Sequence, residues 1–393
     1  MRLAMDRRSL FCGRMVIPHP DASPILKGAL LVEGGRIIAV DSYEALHSTV
    51  SETEIIDFHD LVLIPGLVDA HSHLSLDTRL PNYLERMNDS ECELTLRAVL
   101  TLEVDIRSGV TTSRCMGDRF FIDVHLKKAI KEGRFMGPRL VVATRGMRAS
   151  HGHGFVGLPC DGVDALRKMI RENVKAGADL IKFYATGTIQ NKPIITCFYS
   201  AEEIRVIVEE ANRAGLPTAV HCIGGPGLDL CLTTGVNTIE HGYYITDEQI
   251  EALSKSTSRI VLTPSEFLAD KSTLSPERAA LFRRDREKVW ERLSTVVKSG
   301  LFYAVGTDGM HGHLADEARY IVEAGASNRE SLLAVTLNGA KVCGLDREVG
   351  SLEVGKLADI VVVDGNPLED ITALSKVRAV VKEGNILFRE APV

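Results

Sequence analysis

The 393-residue sequence lacks the marks of several protein classes. Its eight cysteines are scattered, with no Cys-x-x-Cys pair, so neither a zinc finger nor a disulfide framework is indicated. They read as reduced core thiols of a cytoplasmic protein. No run rich in Lys and Arg occurs and the net charge is -7, which argues against a nucleic-acid partner. No stretch approaches the ~18 uninterrupted apolar residues of a membrane span. The polar stretch Met1–Arg8 has no apolar run of the signal-peptide kind, so no leader is expected, and Met5 is an alternative start. Walker loops, a Gly-x-Gly-x-x-Gly turn, a Gly-x-Ser-x-Gly elbow and heptads are missing too. Gly224-Gly225-Pro226-Gly227 is glycine-rich, but no lysine follows it within Leu228–Leu232, so it reads as a strand-to-helix loop.

What remains is ordinary in composition, 45% apolar and 25% charged, and long enough for one large barrel plus a small appendage. Both ends are β-rich. Arg14–Ile17, Gly28–Glu33 and Arg36–Val40 are strand candidates, the last two joined across Gly34-Gly35. Gly350–Asp364 has the same character, and Val377–Phe388 adds two strands around Gly384-Asn385. Between the ends, short apolar runs alternate with amphipathic stretches, the rhythm of repeated βα units. Eight strands are expected: Leu61–His71, Val110–Cys115, Arg139–Thr144, Leu180–Tyr184, Thr218–His221, Thr238–His241, Ile260–Thr263 and Phe302–Gly306. Helices are expected over Val163–Ala176, Ala201–Ala214, Pro276–Lys298 and Arg329–Cys343, with Ser200 as an N-cap. The expected fold class is α/β: a (β/α)8 TIM barrel over residues 65–344. A small β-sandwich domain built from both chain termini, 1–64 plus 345–393, completes it. An open doubly wound sheet is the alternative.

The polar residues decide where chemistry lies. His71 and His73 leave the first strand end two residues apart, so both point to one side. Lys182 sits in the fourth strand, His221 ends the fifth, His241 the sixth, and Asp308 follows the eighth. Each alone has an ordinary explanation as a turn residue, a cap or a snorkelling lysine. Together they fall at the C-terminal strand ends, the face where barrel enzymes keep their active sites. Four imidazoles and a carboxylate suit Zn²⁺ or a similar divalent ion, which lowers the pKa of bound water towards ~7. A carboxylate beside such water is placed to carry its proton.

The ordered set Gly66-Leu-Val-Asp-Ala-His-Ser-His73, Lys182, His221, His241 and Gly306-Thr-Asp308, with the tail Gly350–Asp359, resembles the metal-dependent amidohydrolase superfamily over essentially the whole chain. Gly109-Val-Thr-Thr112, Gly137-Pro-Arg139, Gly152-His-Gly154, Asp179–Gly187 and Thr238–Gly242 are most similar to the branch of prolidase-like dipeptidases, arginine carboxypeptidases and imidazolonepropionase relatives. That resemblance implies a site with two divalent metal ions, zinc first among them. His71, His73 and Asp308 would hold one ion and His221 and His241 the other, with a carbamate on Lys182 bridging them. It implies hydroxide attack on an amide-type C–N bond of a small-molecule substrate, such as an N-acyl amino acid, a dipeptide or a carbamate-like compound. Asp308 would pass the proton to the leaving amine. Relatives of this kind commonly form homo-oligomers.

Around this set, His153 is expected to face the substrate and to assist catalysis, and Tyr243 and Arg148 to bind it. Arg114 and Arg145 are further candidates for a substrate carboxylate. His151, His311 and His313 are read as surface or pocket residues rather than metal ligands. Ile223 stands where peptidase relatives often carry Tyr or His, and an apolar side chain cannot donate to a scissile carbonyl. Thr188 replaces a second glycine. Deamination of a heterocyclic amine is one alternative, against which Gly224 occupies the place of a catalytic glutamate. Lactone or ester hydrolysis on the same metal site is another. The charged segment Phe282–Lys298 is expected to be a solvated outer helix.

Overall fold

Gly66 divides the first apolar run in two. In a computed structural model describing residues 8–48, 53–190, 192–270 and 272–390, the expected strand Leu61–His71 is two strands, Val62–Pro65 and Leu67–Ser72 (β1). A Cβ at Gly66 would lie 2.1 Å from Thr111 Oγ1, and Gly66 N donates to Asp359 O, so the chain changes sheets at its tightest point. The Met1 and Met5 readings fall on residues outside the described ones.

Seven more strands follow in parallel: Val110–Cys115 (β2), Arg139–Val142 (β3), Ile181–Tyr184 (β4), Thr218–Cys222 (β5), Thr238–His241 (β6), Arg259–Leu262 (β7) and Tyr303–Val305 (β8). β3, β2 and β1 form one sheet. Leu158–Pro159, Met147–Arg148 and then β4 to β8 form a second, every neighbouring pair parallel. Most residues of these strands are buried, as expected of strands covered on both faces. Asp179 N donates to Val142 O at 2.8 Å beside β3, and Asp308 N to His71 O at 2.8 Å beside β1, so backbone bonds join the sheets.

Helices alternate with the strands. Ala201–Arg213 starts at Ser200, whose hydroxyl accepts from Glu203 N while Glu203 accepts from Ser200 N, a complete capping box. The expected helix Arg329–Cys343 is two pieces, Asn328–Ala334 and Leu337–Val342. The carbonyl of Val335 accepts from Val68 N at 2.8 Å, and that bond to β1 takes the place of helix continuation. Pro276–Lys298 is a 23-residue helix that buries Phe282, Val289 and Leu293 and leaves its charged face outside.

The chain ends build two further sheets. One orders Arg36–Ser42, Gly28–Glu33, Arg8–Cys12 and Glu54–Asp57; the other runs from Asn385–Arg389 through Val377–Lys382, Ile360–Val363 and Val62–Pro65 to Met15–Val16 and Ile25–Leu26. Phe11, Leu30 and Ile37 of the first pack with Leu63, Ile360 and Val381 of the second in one apolar cluster. Arg139 ties this unit to β3 through Asp359 and Glu383, each at 2.6 Å. Among the described residues no helix is long and apolar enough to cross a membrane.

Candidate active site

β1 delivers His71 and His73 to one place. Their Nε2 atoms lie 3.3 and 3.4 Å from Asp308 Oδ1, just beyond β8. Among the described residues, His71, His73 and Asp308 are the one His/Cys/Asp/Glu group placed to share a metal ion. Asp69, one turn of the pleat earlier, accepts from His71 N, Thr307 N and Thr307 Oγ1, locking the loop that carries Asp308 against β1. Asp308 and His241 both sit in left-handed backbone conformation, at φ 52° and 80°.

The other expected residues extend the cluster. Ring centroids of His71 and His241 are 4.8 Å apart, His241 and His221 4.4 Å, and His221 and His153 4.5 Å. Lys182 Nζ, buried, stands 5.0 Å from the Tyr184 ring centre. His221 Nε2 meets Gly187 O at 3.2 Å, while His241 Nδ1 meets Thr263 Oγ1 at 2.7 Å. His71 Nε2, His241 Nε2 and Lys182 Nζ are buried with no hydrogen-bond partner. Buried polar atoms are rarely orphaned, and three around one carboxylate form a donor set that a divalent cation fits.

Protonation agrees. Burial pushes the His73 imidazole down to about 3 and that of His153 to about 4, and holds His221 and His241 well below the ordinary histidine range. All four are therefore neutral at pH 7. Burial lowers Lys182 to about 8. For Asp308, burial opposes the charge, but the close approach of His71, with His241 and His73 nearby, outweighs it and keeps the carboxylate ionised.

Sequence reasoning missed what lies beneath. Glu240, wholly buried in β6, accepts from His71 Nδ1 at 2.8 Å and pairs with Arg114 of β2 at 3.1 Å. Thr238 Oγ1 donates to the same carboxylate at 2.6 Å and receives Arg114 Nη2 at 2.9 Å. Burial disfavours the Glu240 charge, but Arg114 and His71 outweigh it, so the carboxylate is ionised and His71 carries its proton on Nδ1. Two opposite charges placed inside fully buried strands were the available signal. Arg114, a candidate for substrate carboxylate, faces this network instead.

A narrow cavity of about 50 Å³ opens above Asp308, lined by His73, Tyr83, His153, Tyr184, Glu266 and Arg278 among others. His153 is held by Thr188 Oγ1, 2.9 Å from its Nε2. Tyr243 does not line this cavity; its hydroxyl bonds Thr263 and its ring stacks on His241. Arg148 donates to the carbonyls of Ala149, Ser150 and Gly152, in the loop that leads to His153. Arg145 pairs with Glu172. Ile223 is buried in an apolar cluster with Tyr243, Tyr244 and Phe267. His151 is exposed beside Phe198, His313 is exposed on Asp316, and His311 is buried between Asp105 and His73 O.

Comparison with known proteins follows the same lines. The model of the amidohydrolase family matches residues 62–387. The chain is 28% identical to the ochratoxinase of Aspergillus niger, over 95% of this chain and 85% of that protein. It is 24% identical to the imidazolonepropionase of Fusobacterium nucleatum, over 92% of each. Its fold matches the crystal structure of a prolidase complexed with N-methylphosphonate-L-proline at a TM-score of 0.86 and 24% identity, covering 98% of this chain and 100% of that one.

Proposed function

The chain belongs to the amidohydrolase family, and on that premise we propose that it hydrolyses an amide-type C–N bond in a small molecule at a centre of two zinc ions. The observation that carries the reading is the convergence of His71 and His73 on Asp308, with the Nε2 atoms of His71 and His241 and the Nζ of Lys182 buried without hydrogen-bond partners. His71, His73 and Asp308 would hold one ion and His221 and His241 the other, with Lys182 serving both as its carbamate. Divalent ions bound there acidify water and polarise a carbonyl. The amine of Lys182, lowered to about 8, is partly neutral at pH 7, the form that adds to carbon dioxide.

Asp308, ionised and 18% exposed through its side chain, takes the proton of the attacking water and hands it to the departing nitrogen. His153, neutral and steadied by Thr188, orients the scissile group from the opposite wall, in place of the donor missing at Ile223. Arg148 acts by holding the loop before His153, and Tyr243 by bracing His241 through Thr263. Deamination is disfavoured: position 224 is a glycine at φ 136°, where a Cβ would lie 2.8 Å from Tyr244 O, leaving no room for a glutamate.

The same reading takes the two parallel sheets as one closed (β/α)8 barrel over 65–344, supported by the bonds from Asp308 N to His71 O and from Asp179 N to Val142 O. Residues 1–64 and 345–393 form the β-sandwich domain. Eight free thiols support a cytoplasmic setting, and exposed Leu96 and Leu100, one helical turn apart, support a homo-oligomer. Metal content per chain, with intact mass under mild conditions in bicarbonate, tests the centre. About two ions and a labile gain of one carbon dioxide, lost in Lys182→Ala, are expected. One ion and no carbamate would overturn the two-metal reading.

A further inference from the structure

Arg278 is the only lysine or arginine among the described residues lining the cavity above Asp308. It projects from the first turn of the helix Pro276–Lys298, with its guanidinium carbon 6.0 Å from the Phe282 ring centre. Its side chain makes no hydrogen bond or ion pair among the described residues, and its Nε is buried without a partner. The other arginine candidates for a substrate carboxylate are engaged: Arg114 by Glu240, Arg145 by Glu172, Arg148 by three carbonyls. A guanidinium N–H buried without a partner is unfavourable unless a ligand completes it. Arg278 also lines an adjoining outer hollow of about 410 Å³, so it stands where the narrow inner cavity meets the cleft.

We propose that Arg278 binds the free carboxylate of the substrate, which is an N-acylated amino acid with an apolar side chain. The inference rests on the amide-hydrolase reading and names its substrate class. A planar fork of N–H donors matches a carboxylate in a bidentate pair. Leu76, Leu84, Phe155 and Val156 supply an apolar wall beside the arginine, suited to an aliphatic or aromatic side chain.

Calorimetric binding of N-acetyl-L-leucine and of N-isopentylacetamide, the same amide with its carboxylate deleted, tests this on the full-length protein. The wild type is expected to prefer the acid by about 10- to 100-fold, the range of a charge-assisted pair. In Arg278→Met that ratio falls to near one, and in Arg278→Lys it is partly kept. Binding of the neutral amide by Arg278→Met serves as its folding control. Equal affinity of the wild type for both ligands, no binding of the acid, or an unchanged ratio in Arg278→Met would overturn the assignment. Hydrolysis is scored separately. Selective binding without turnover of either amide counts against the hydrolase reading and leaves Arg278 as the carboxylate-binding residue.

Discussion

Glu240→Gln should separate the fold from the metal centre. The wild-type carboxylate only accepts, taking the Nδ1 proton of His71 at 2.8 Å and a donor of Arg114 at 3.1 Å, and so leaves His71 Nε2 as a lone pair. A glutamine keeps the shape but has one oxygen and one NH₂. If the oxygen stays on Arg114, the amide N–H faces Nδ1 and drives the proton to Nε2, where it blocks a metal. If the amide turns, its N–H meets the guanidinium and Arg114 loses its acceptor. Either way the ligand is compromised, and loss of such an outer partner costs about 10- to 100-fold in metal affinity, roughly 1.4–2.7 kcal/mol. Glu240→Ala is harsher, because it strands a guanidinium that is only 1% exposed, at roughly 3–5 kcal/mol of folding stability. Chelator competition measures the first effect and urea unfolding of the metal-free protein the second. Metal affinity of Glu240→Gln within about threefold of wild type would refute the tautomer argument.

Gly306→Ala should disable the site from a position that touches no substrate. Its Cβ would fall 2.3 Å from His71 N and 2.6 Å from His71 Cβ, so β8 must move off β1, at about 3 kcal/mol for overpacking. Denaturant midpoint and metal content should fall together, and full metal content would contradict the close approach. Metal retention should also resist acid. With His73 at about 3 and burial holding His221 and His241 well below the ordinary histidine range, protons compete poorly for these nitrogens, so dialysis between pH 7 and 5 should leave metal content nearly flat. An ordinary imidazole would lose roughly thirty-fold in its neutral fraction by pH 5. A steep loss centred near pH 6.5 would count against the burial argument.

The metal-ligand candidates were legible because all but Lys182, which lies within β4, fall at or just past a strand end, and strand ends of a parallel array share one face. β2 and β6 have the bounds expected from their apolar runs, as do the helices Val163–Ala176 and Pro276–Lys298. Gly66 was harder to read. Apolar character runs straight through it, and only the approach of Thr111 shows why the chain must change sheets there. The break at Val335-Thr336 was likewise invisible, since it arises from a carbonyl captured by Val68, far away in sequence. The Glu240–Arg114 pair and the position of Arg278 depend on which distant strands and helices become neighbours. Local periodicity holds no such information, which is why Arg114 was read as facing substrate.

Asp308 and His241 occupy backbone conformations that L-residues with side chains avoid, each at a cost of order 1–3 kcal/mol. The candidate site is therefore one of the places where this fold forgoes stability, and on the proposed reading heat resistance and activity pull against each other at these two positions. A laboratory selection asking only for survival at high temperature would drift towards glycine at 241 and asparagine or glycine at 308. Its product would be a sturdier shell, with the same strands and the same cavity, emptied of two groups proposed to hold its metal.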